Sequence, residues 1–315
     1  MILTVTLNTA LDITWGVDSL RPRTSHRVDT AYERAGGKGV NVARVLTALG
    51  HRPVATGLVG GPTGRLIREE LRAAGVRQAF LDVAGDSRRT LAVVARDDGD
   101  ATVFNGRGPY VGPAEWELFC RHYDLLLAAD VRVAVLSGSL PPGLPADAYG
   151  RLIRTAAAAG VATVLDTSGP ALVTALEAGP DVIKPNADEL TAATGCDDLP
   201  AAAAALRALG ARTVVASAGA DGLHAITPEG TWRAAPPERL SGNPTGAGDA
   251  CVAAIAAGLA AGAGWPDILR QAVALSAAAV PCPVAGDIDT AVHQRFLREA
   301  TVEERVEETH AADAV

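Results

Sequence analysis

The run Asn243-Pro244-Thr245-Gly246-Ala247-Gly248-Asp249-Ala250 leads into a long apolar stretch, Cys251–Ala261. Glycines at 246 and 248 allow a tight turn and bring bare N–H groups up to a ligand. The positive end of the helix that follows adds to those amides, so the segment suits an anion such as phosphate. Asp249 falls in the first turn of that helix. The helix dipole favours an acidic residue at any helix start, but a plain start needs neither the glycines nor the Pro-Thr approach. Beside an anion hole a carboxylate has a sharper task. It accepts the proton of a hydroxyl that attacks a phosphoryl group, while amides neutralise charge on the group in transit. Asp249 is the expected base, and Gly246, Ala247 and Gly248 are the expected hole.

Only two of the 28 basic residues are lysines, Lys38 and Lys184. A lysine ammonium is a compact point charge suited to phosphate, unlike the arginine fork. Each lies in a marked run, Gly36-Gly37-Lys38-Gly39-Val40-Asn41 or Lys184-Pro185-Asn186-Ala187-Asp188-Glu189. Glycines ahead of a helix permit close backbone approach, and Asn41 offers both donor and acceptor groups. Asn186 and Glu189 are three apart and share one face of a helix that starts there. A helix cap is the bland role for Asn186. Mg²⁺ takes few protein oxygens and keeps its waters, so Glu189 is expected to hold a metal-bound water. Asp12 closes the run Asn8-Thr9-Ala10-Leu11-Asp12 at the end of the first strand. Ligands of parallel sheets bind beyond the carboxyl ends of strands, and one carboxylate holds two hydroxyls at once. Two more loops follow buried strands, Ser137–Gly143 and Ser217–Gly222. Both also suit ordinary turns, Asp221-Gly222 being a good hairpin pair. Arg88 and Arg89 are adjacent arginines, a pattern more often solvated than liganding.

The elements that must position these residues alternate along the chain. Strand-like runs Leu3–Leu7, Pro53–Val59, Arg132–Leu136, Ala162–Asp166, Asp181–Ile183 and Thr213–Ser217 are separated by helical patterns. Strands that are apolar on both faces indicate a mostly parallel sheet covered by helices, a three-layer α/β/α sandwich. Residues 12–34 and 88–106 break the rhythm with short alternating segments: Ile13–Val17, Thr24–Asp29, Thr90–Arg96 and Thr102–Asn105. These read as antiparallel strands of a small β-sheet lid, with Asp98-Gly99 as a hairpin turn. One domain over 1–300 is expected, followed by an acidic mobile tail, 301–315.

Composition removes other classes. The chain has 315 residues, 48% of them hydrophobic, so global disorder is excluded. A net charge of −8 argues against a general nucleic-acid binder. The four cysteines form no CxxC pair, so neither a zinc site nor a disulfide framework is indicated. The N-terminus runs straight into a strand without a signal-like segment, and the Ala-rich stretch 250–263 is short and glycine-broken. A cytoplasmic protein without membrane contact is expected. Walker, dinucleotide-fingerprint and protein-kinase signatures are all missing; Gly39, for example, follows Lys38 where Ser or Thr would be required.

The glycine motif at 246–249 and the earlier Gly36-Gly37-Lys38-Gly39-Val40-Asn41-Val42-Ala43 together resemble the ribokinase/PfkB family of carbohydrate kinases. The likeness covers the chain up to its terminal tail. It implies a ribokinase-like fold, ATP and Mg²⁺ as cofactors, and a sugar or sugar phosphate as acceptor. It implies acceptor contacts at Asp12, Gly37, Lys38, Asn41, Arg88 and Ser139. It implies nucleotide contacts at Lys184, Asn186, Ser217, Gly219, Gly222 and Thr245, with Glu189 on the metal side. Thr9 stands where the family has proline, and Thr90 where relatives commonly have asparagine. Lys38, Arg88, the Ser137–Gly143 loop and Gly108-Pro109 are most similar to the 1-phosphofructokinase and tagatose-6-phosphate kinase group, with Arg27 a further candidate for a sugar phosphate. Fructose 1-phosphate is the first expected acceptor. Tagatose 6-phosphate or fructose 6-phosphate comes next, then an unphosphorylated sugar or cyclitol. A sensor of sugar or nucleotide without turnover is the alternative class, and it gives Asp249 nothing to do. An exposed lid has unpaired edges and apolar surface, which with the resemblance suggests a homodimer through the lid.

Overall fold

The computed structural model of the protein describes residues 1–97 and 101–305. The chain starts with β1 (Ile2–Thr6), β2 (Ala10–Val17), β3 (Thr30–Gly36) and α1 (Lys38–Ala48). It continues through β4 (Val54–Gly60), α2 (Gly61–Ala73), β5 (Arg77–Gln78), β6 (Leu81–Val83), β7 (Arg88–Ala95), β8 (Ala101–Asn105) and α3 (Pro113–Leu127). Next come β9 (Val133–Ser137), α4 (Ala148–Ala158), β10 (Ala162–Asp166), α5 (Pro170–Leu176), β11 (Val182–Ile183), α6 (Ala187–Thr194) and α7 (Leu199–Ala208). The last part holds β12 (Thr213–Ser217), β13 (Leu223–Ile226), β14 (Thr231–Ala235), α8 (Ala247–Ala261), α9 (Trp265–Ala279), α10 (Thr290–Glu299) and β15 (Thr301–Arg305).

The large sheet has the order β5-β4-β1-β9-β10-β11-β12-β13-β14-β15, with β6 also on β4. Neighbours are parallel from β5 to β12 and antiparallel from there to β15. Alternation within a strand sends side chains to opposite faces. On β9, Ala134 and Leu136 pack under α3, α4 and α7, while Val133 and Val135 pack under α1, α8 and α9. The sheet is thus apolar on both sides, as a covered parallel sheet must be, and the fold is a three-layer α/β/α sandwich. Helix α8 is buried from Asp249 to Ala256. Its small side chains let it lie close to the sheet and to α9. No helix among the described residues is long and apolar enough to cross a membrane.

The second sheet has the order β3-β2-β7-β8. It differs from the sequence expectation in two ways. Strands β2 and β7 are parallel, not antiparallel, pairing Asp12 with Thr90. The reason lies in the core sheet. β2 leaves the end of β1 and β7 leaves the end of β6, and β1 and β6 both run parallel to β4, so both arms depart in one direction. The segment Thr24–Asp29 is not a strand; pairing with β2 starts at Thr30. Local side-chain bonds hold that connection instead: Thr24 Oγ1 donates to the Arg21 carbonyl, and the Arg21 N–H donates to the His26 ring. β7 and β8 are antiparallel; their expected turn, Asp98-Gly99, lies outside the described residues.

The expected tail also changes. Thr301–Arg305 is an edge strand on β14, with Val302 against the core and its charged neighbours outward. An edge strand needs few apolar residues and is protected by its charges. Residues 306–315 lie outside the described residues.

Candidate active site

A cleft of about 1370 Å³ opens at the carboxyl ends of β1, β9, β10 and β12, beneath the second sheet. Asp12, Gly37, Lys38, Asn41, Arg88 and Ser139 line its lid side. Lys184, Asn186, Glu189, Ser217, Gly219 and Gly222 line the opposite side. Thr245, Gly246, Ala247, Gly248 and Asp249 form its floor. The cleft therefore gathers the residues expected to serve as base, anion hole, acceptor, nucleotide and metal contacts; Arg27, the further candidate for a sugar phosphate, sits instead on the exposed connection between β2 and β3.

On the lid side, Asp12 lies against the backbone of the glycine loop. A Cβ on Gly36 would fall 1.8 Å from its Oδ2, so only glycine fits there. Burial pushes the Asp12 carboxyl above its ordinary range; Arg88, the Thr90 hydroxyl, the Gly37 amide and Arg44 pull the other way. The Arg88 fork is fixed by two carbonyls: Nε donates to Asn8 at 3.0 Å and NH1 to Gly106 at 3.4 Å. Arg89 turns away, toward the Thr63 hydroxyl. Asn8 ties three segments together, donating to Ser139 Oγ and to the Arg107 carbonyl, each at 3.1 Å. Thr9 is buried and donates to the Thr6 carbonyl at 3.0 Å, so the loop turns without a proline.

The chain's two lysines meet at one carboxylate. Lys38 Nζ lies 3.2 Å from Asp166 Oδ1 and Lys184 Nζ lies 3.5 Å from the same atom. Lys184 and Asp166 are both buried, while the Lys38 side chain is 39% exposed toward the cleft. Burial lowers the Lys184 affinity for its proton, but Asp166 with Cys251, Glu189 and Asp249 outweighs that, and the net shift is upward. Asp166 Oδ2 has no partner among the described residues.

On the floor, Gly246 is the N-cap of α8 at φ 92°, a left-handed conformation. A Cβ there would lie 2.9 Å from Ala285 Cα. The Ala247 N–H is donated to the Pro244 carbonyl at 3.1 Å. That removes Ala247 from the expected hole; the amides of Gly246, Gly248 and Asp249 remain without a backbone partner among the described residues. Thr245 is set by an Asx turn, its N–H donating to Asn243 Oδ1. Asp249 is buried and accepts from Asn41 Nδ2 at 2.8 Å. Burial, with Asp166 nearby, pushes its carboxyl up to about 7, against the pull of Asn41, Lys38 and Lys184.

Asn186 and Glu189 form a complete capping box at the start of α6. Glu189 Oε2 takes the Asn186 N–H at 3.0 Å, while Oε1 lies 4.0 Å from Lys38 Nζ. The cap and a role in the cleft are therefore compatible. Ser217, Gly219 and Gly222 shape the tight turn between β12 and β13; a Cβ on Gly222 would strike the Ala234 carbonyl. Among the described residues no group of three or more His, Cys, Asp or Glu is placed to hold a metal. Mg²⁺ bound mainly through its own waters and substrate oxygens needs no such group, so Glu189 fits that role. Asp166 and Arg107 are among the cleft residues that the motif reading did not single out. Position alone could have found them, since Asp166 ends a strand and Arg107 precedes Gly108-Pro109.

Comparison with known proteins agrees with this fold. The profile of the pfkB family carbohydrate kinases matches residues 6–291. The chain is 36% identical over 267 residues to the tagatose-6-phosphate kinase of Staphylococcus epidermidis, covering 82% of this chain and 85% of that one. Phosphofructokinase-2 of Escherichia coli superposes with a TM-score of 0.87 at 29% identity, over 94% of this chain and 98% of that one. A possible 1-phosphofructokinase of Thermotoga maritima superposes with a TM-score of 0.88 at 28% identity, over 97% and 100% of the two chains. With fold, cleft and sequence in agreement, the chain belongs to the pfkB family and is an ATP-dependent carbohydrate kinase.

Proposed function

We propose that the protein transfers the γ-phosphoryl group of ATP·Mg²⁺ to a hydroxyl of a ketohexose monophosphate, with fructose 1-phosphate as first acceptor and fructose 1,6-bisphosphate as product. The observation that carries this reading is the charge at the lid side of the cleft. Arg88 is held there by two backbone carbonyls, and Arg107 lines the same wall. A neutral sugar offers these cations no counter-charge; a sugar phosphate does. Asp12 then takes acceptor hydroxyls, assisted by the backbone at Gly37 and by Ser139. Asp249 removes the proton of the attacking hydroxyl, and a carboxyl pushed up to about 7 suits a base working near neutrality.

The N–H groups of Gly246, Gly248 and Asp249 face the charge that develops on the group in transit. Lys184 stands beside them, 3.5 Å from a Cβ position on Gly248. Lys38 sits between the acceptor wall and Glu189, where its ammonium neutralises the same charge from the other side. Asn186, Ser217, Gly219, Gly222 and Thr245 border the space for the nucleotide. Glu189 would hold Mg²⁺ through water, and the ion would supply charge neutralisation on the phosphates. The second sheet covers the acceptor and excludes water from the transfer. Gly246→Ala is expected to lower kcat by roughly a hundredfold, with KM for ATP changed much less. Initial rates at saturating acceptor check this.

A second reading, tagatose 6-phosphate or fructose 6-phosphate as acceptor, is favoured by the 36% identity to a tagatose-6-phosphate kinase. Structural likeness to Escherichia coli phosphofructokinase-2 in complex with fructose-6-phosphate, TM-score 0.85 at 28% identity, points the same way. An ADP-release assay over fructose 1-phosphate, fructose 6-phosphate, tagatose 6-phosphate, ribose, adenosine and free hexoses decides among these. Turnover strongest on fructose 1-phosphate supports the first reading, and turnover strongest on a 6-phosphate supports the second. Turnover confined to unphosphorylated acceptors removes the phosphate role of Arg88. ATP binding without turnover on any acceptor favours a sensor.

The lid also leaves Tyr32, Val103 and Phe104 more than half exposed. A homodimer that covers them is part of this proposal. Sedimentation as a monomer at micromolar concentration, unchanged by Phe104→Glu, would remove it.

A further inference from the structure

We infer that Asn41 is a positioning residue for the base: its side-chain amide holds one carboxylate oxygen of Asp249 and leaves the other for the acceptor hydroxyl. The inference rests on the reading of Asp249 as base. Asn41 Nδ2 donates to Asp249 Oδ2 at 2.8 Å, and the two residues are 6% and 7% exposed. An ionised carboxylate only accepts, so the amide must present its NH₂ to it. No other side chain among the described residues donates to either oxygen of Asp249.

The donor stands on a rigid support. Asn41 lies in the first turn of α1, and its N–H donates to the Gly37 carbonyl at 3.0 Å. Its Cα is backed by Gly286, where an added Cβ would come within 3.4 Å of it and 3.0 Å of Arg44 Cδ. Asn41 therefore has little room to withdraw. The base is equally fixed, in the first turn of α8. Helices that lie 208 residues apart in sequence thus meet through one hydrogen bond at the transfer point. Fixing one oxygen sets the Asp249 side-chain rotamer and the lone pair that meets the hydroxyl, which is where preorganisation acts on rate.

The other groups that bear on Asp249 do not hydrogen-bond to it. Asp166 reaches toward it from the end of β10 and disfavours its charge; Lys38 from α1 and Lys184 from the turn after β11 favour it. Cys251, two positions along α8, has its thiol pushed up to about 11 and stays neutral near pH 7. Among the described residues, Asn41 is the one side chain that both hydrogen-bonds to the carboxylate and stabilises its charged form.

The experiment compares pH profiles of kcat and kcat/KM for wild type, Asn41→Leu and Asn41→Asp from about pH 5.5 to 9. ATP and the acceptor titrate identically in all three, so their contributions cancel in the comparison. In Asn41→Leu the acid limb of both profiles is expected to move up by about one pH unit or more. Asn41→Asp moves it further, because two facing carboxylates resist double ionisation. The defect in kcat shrinks as pH rises. An acid limb that stays in place, with only the acceptor KM raised, overturns the inference and leaves Asn41 as an acceptor contact alone. If Asn41→Leu gives no cooperative melt, the isosteric Asn41→Asp carries the test. Failure of the underlying reading looks different: Asp249→Asn then retains near-normal turnover, whatever the Asn41 variants do.

Discussion

Asp249→Asn is expected to lower kcat by about a thousandfold or more, the scale of a lost general base in a preorganised site, while nucleotide affinity changes less than about threefold. The substitution keeps shape and removes charge. Asp249 is buried at the floor of the cleft, and its carboxyl is pushed up to about 7 by burial and by Asp166. The neutral amide accepts from Asn41 as the carboxylate does, so the local structure should persist. What it cannot do is take a proton. Wild-type activity should fall as pH drops through the range near 7, because the base is protonated there, and the residual activity of Asp249→Asn should lack that limb. Single-turnover kinetics with a fluorescent nucleotide titration separates the two quantities. Near-normal turnover in Asp249→Asn would sink the mechanism.

Arg88→Ala is expected to raise KM for a phosphorylated acceptor by roughly 30- to 100-fold, the equivalent of one charge-assisted bidentate contact. KM for ATP should stay within about twofold. The guanidinium is already oriented by the Asn8 and Gly106 carbonyls, so little freedom is lost when a phosphate arrives. Arg88→Lys keeps the charge but not the fork and should recover only part of the affinity. Steady-state kinetics with both substrates varied measures this. Equal losses for ATP and acceptor would mean that Arg88 shapes the cleft as a whole instead of holding a phosphate.

The parts of this site legible in the sequence are those set by local backbone chemistry. Glycines at 246 and 248 and at 36, 37 and 39 mark two helix starts at the cleft; Gly37, Gly246 and Gly248 line it, while Gly36 and Gly39 make room for Asp12 and β1. Apolar runs without alternation gave the covered parallel sheet for the same reason: β9 must be apolar on both faces. What could not be read depends on where distant segments meet. The parallel pairing of β2 and β7 follows from β6 lying beside β4, which no local pattern encodes. That Asp166 ends a strand could be read; that Lys38 and Lys184 converge on it could not. Ala247 looked like a hole residue because its neighbours are glycines, yet its N–H closes a turn on Pro244. β15 was missed because Thr-Val-Glu-Glu-Arg needs only Val302 to reach the core, and an edge strand tolerates the rest.

The most direct test of the account is ³¹P NMR of the purified protein with ATP, Mg²⁺ and fructose 1-phosphate. The account predicts loss of the γ-phosphate resonance, formation of ADP and growth of a second sugar-phosphate ester signal, with no parallel release of inorganic phosphate. An unchanged γ-phosphate with fructose 1-phosphate and with both 6-phosphates, or its release as inorganic phosphate alone, would contradict it.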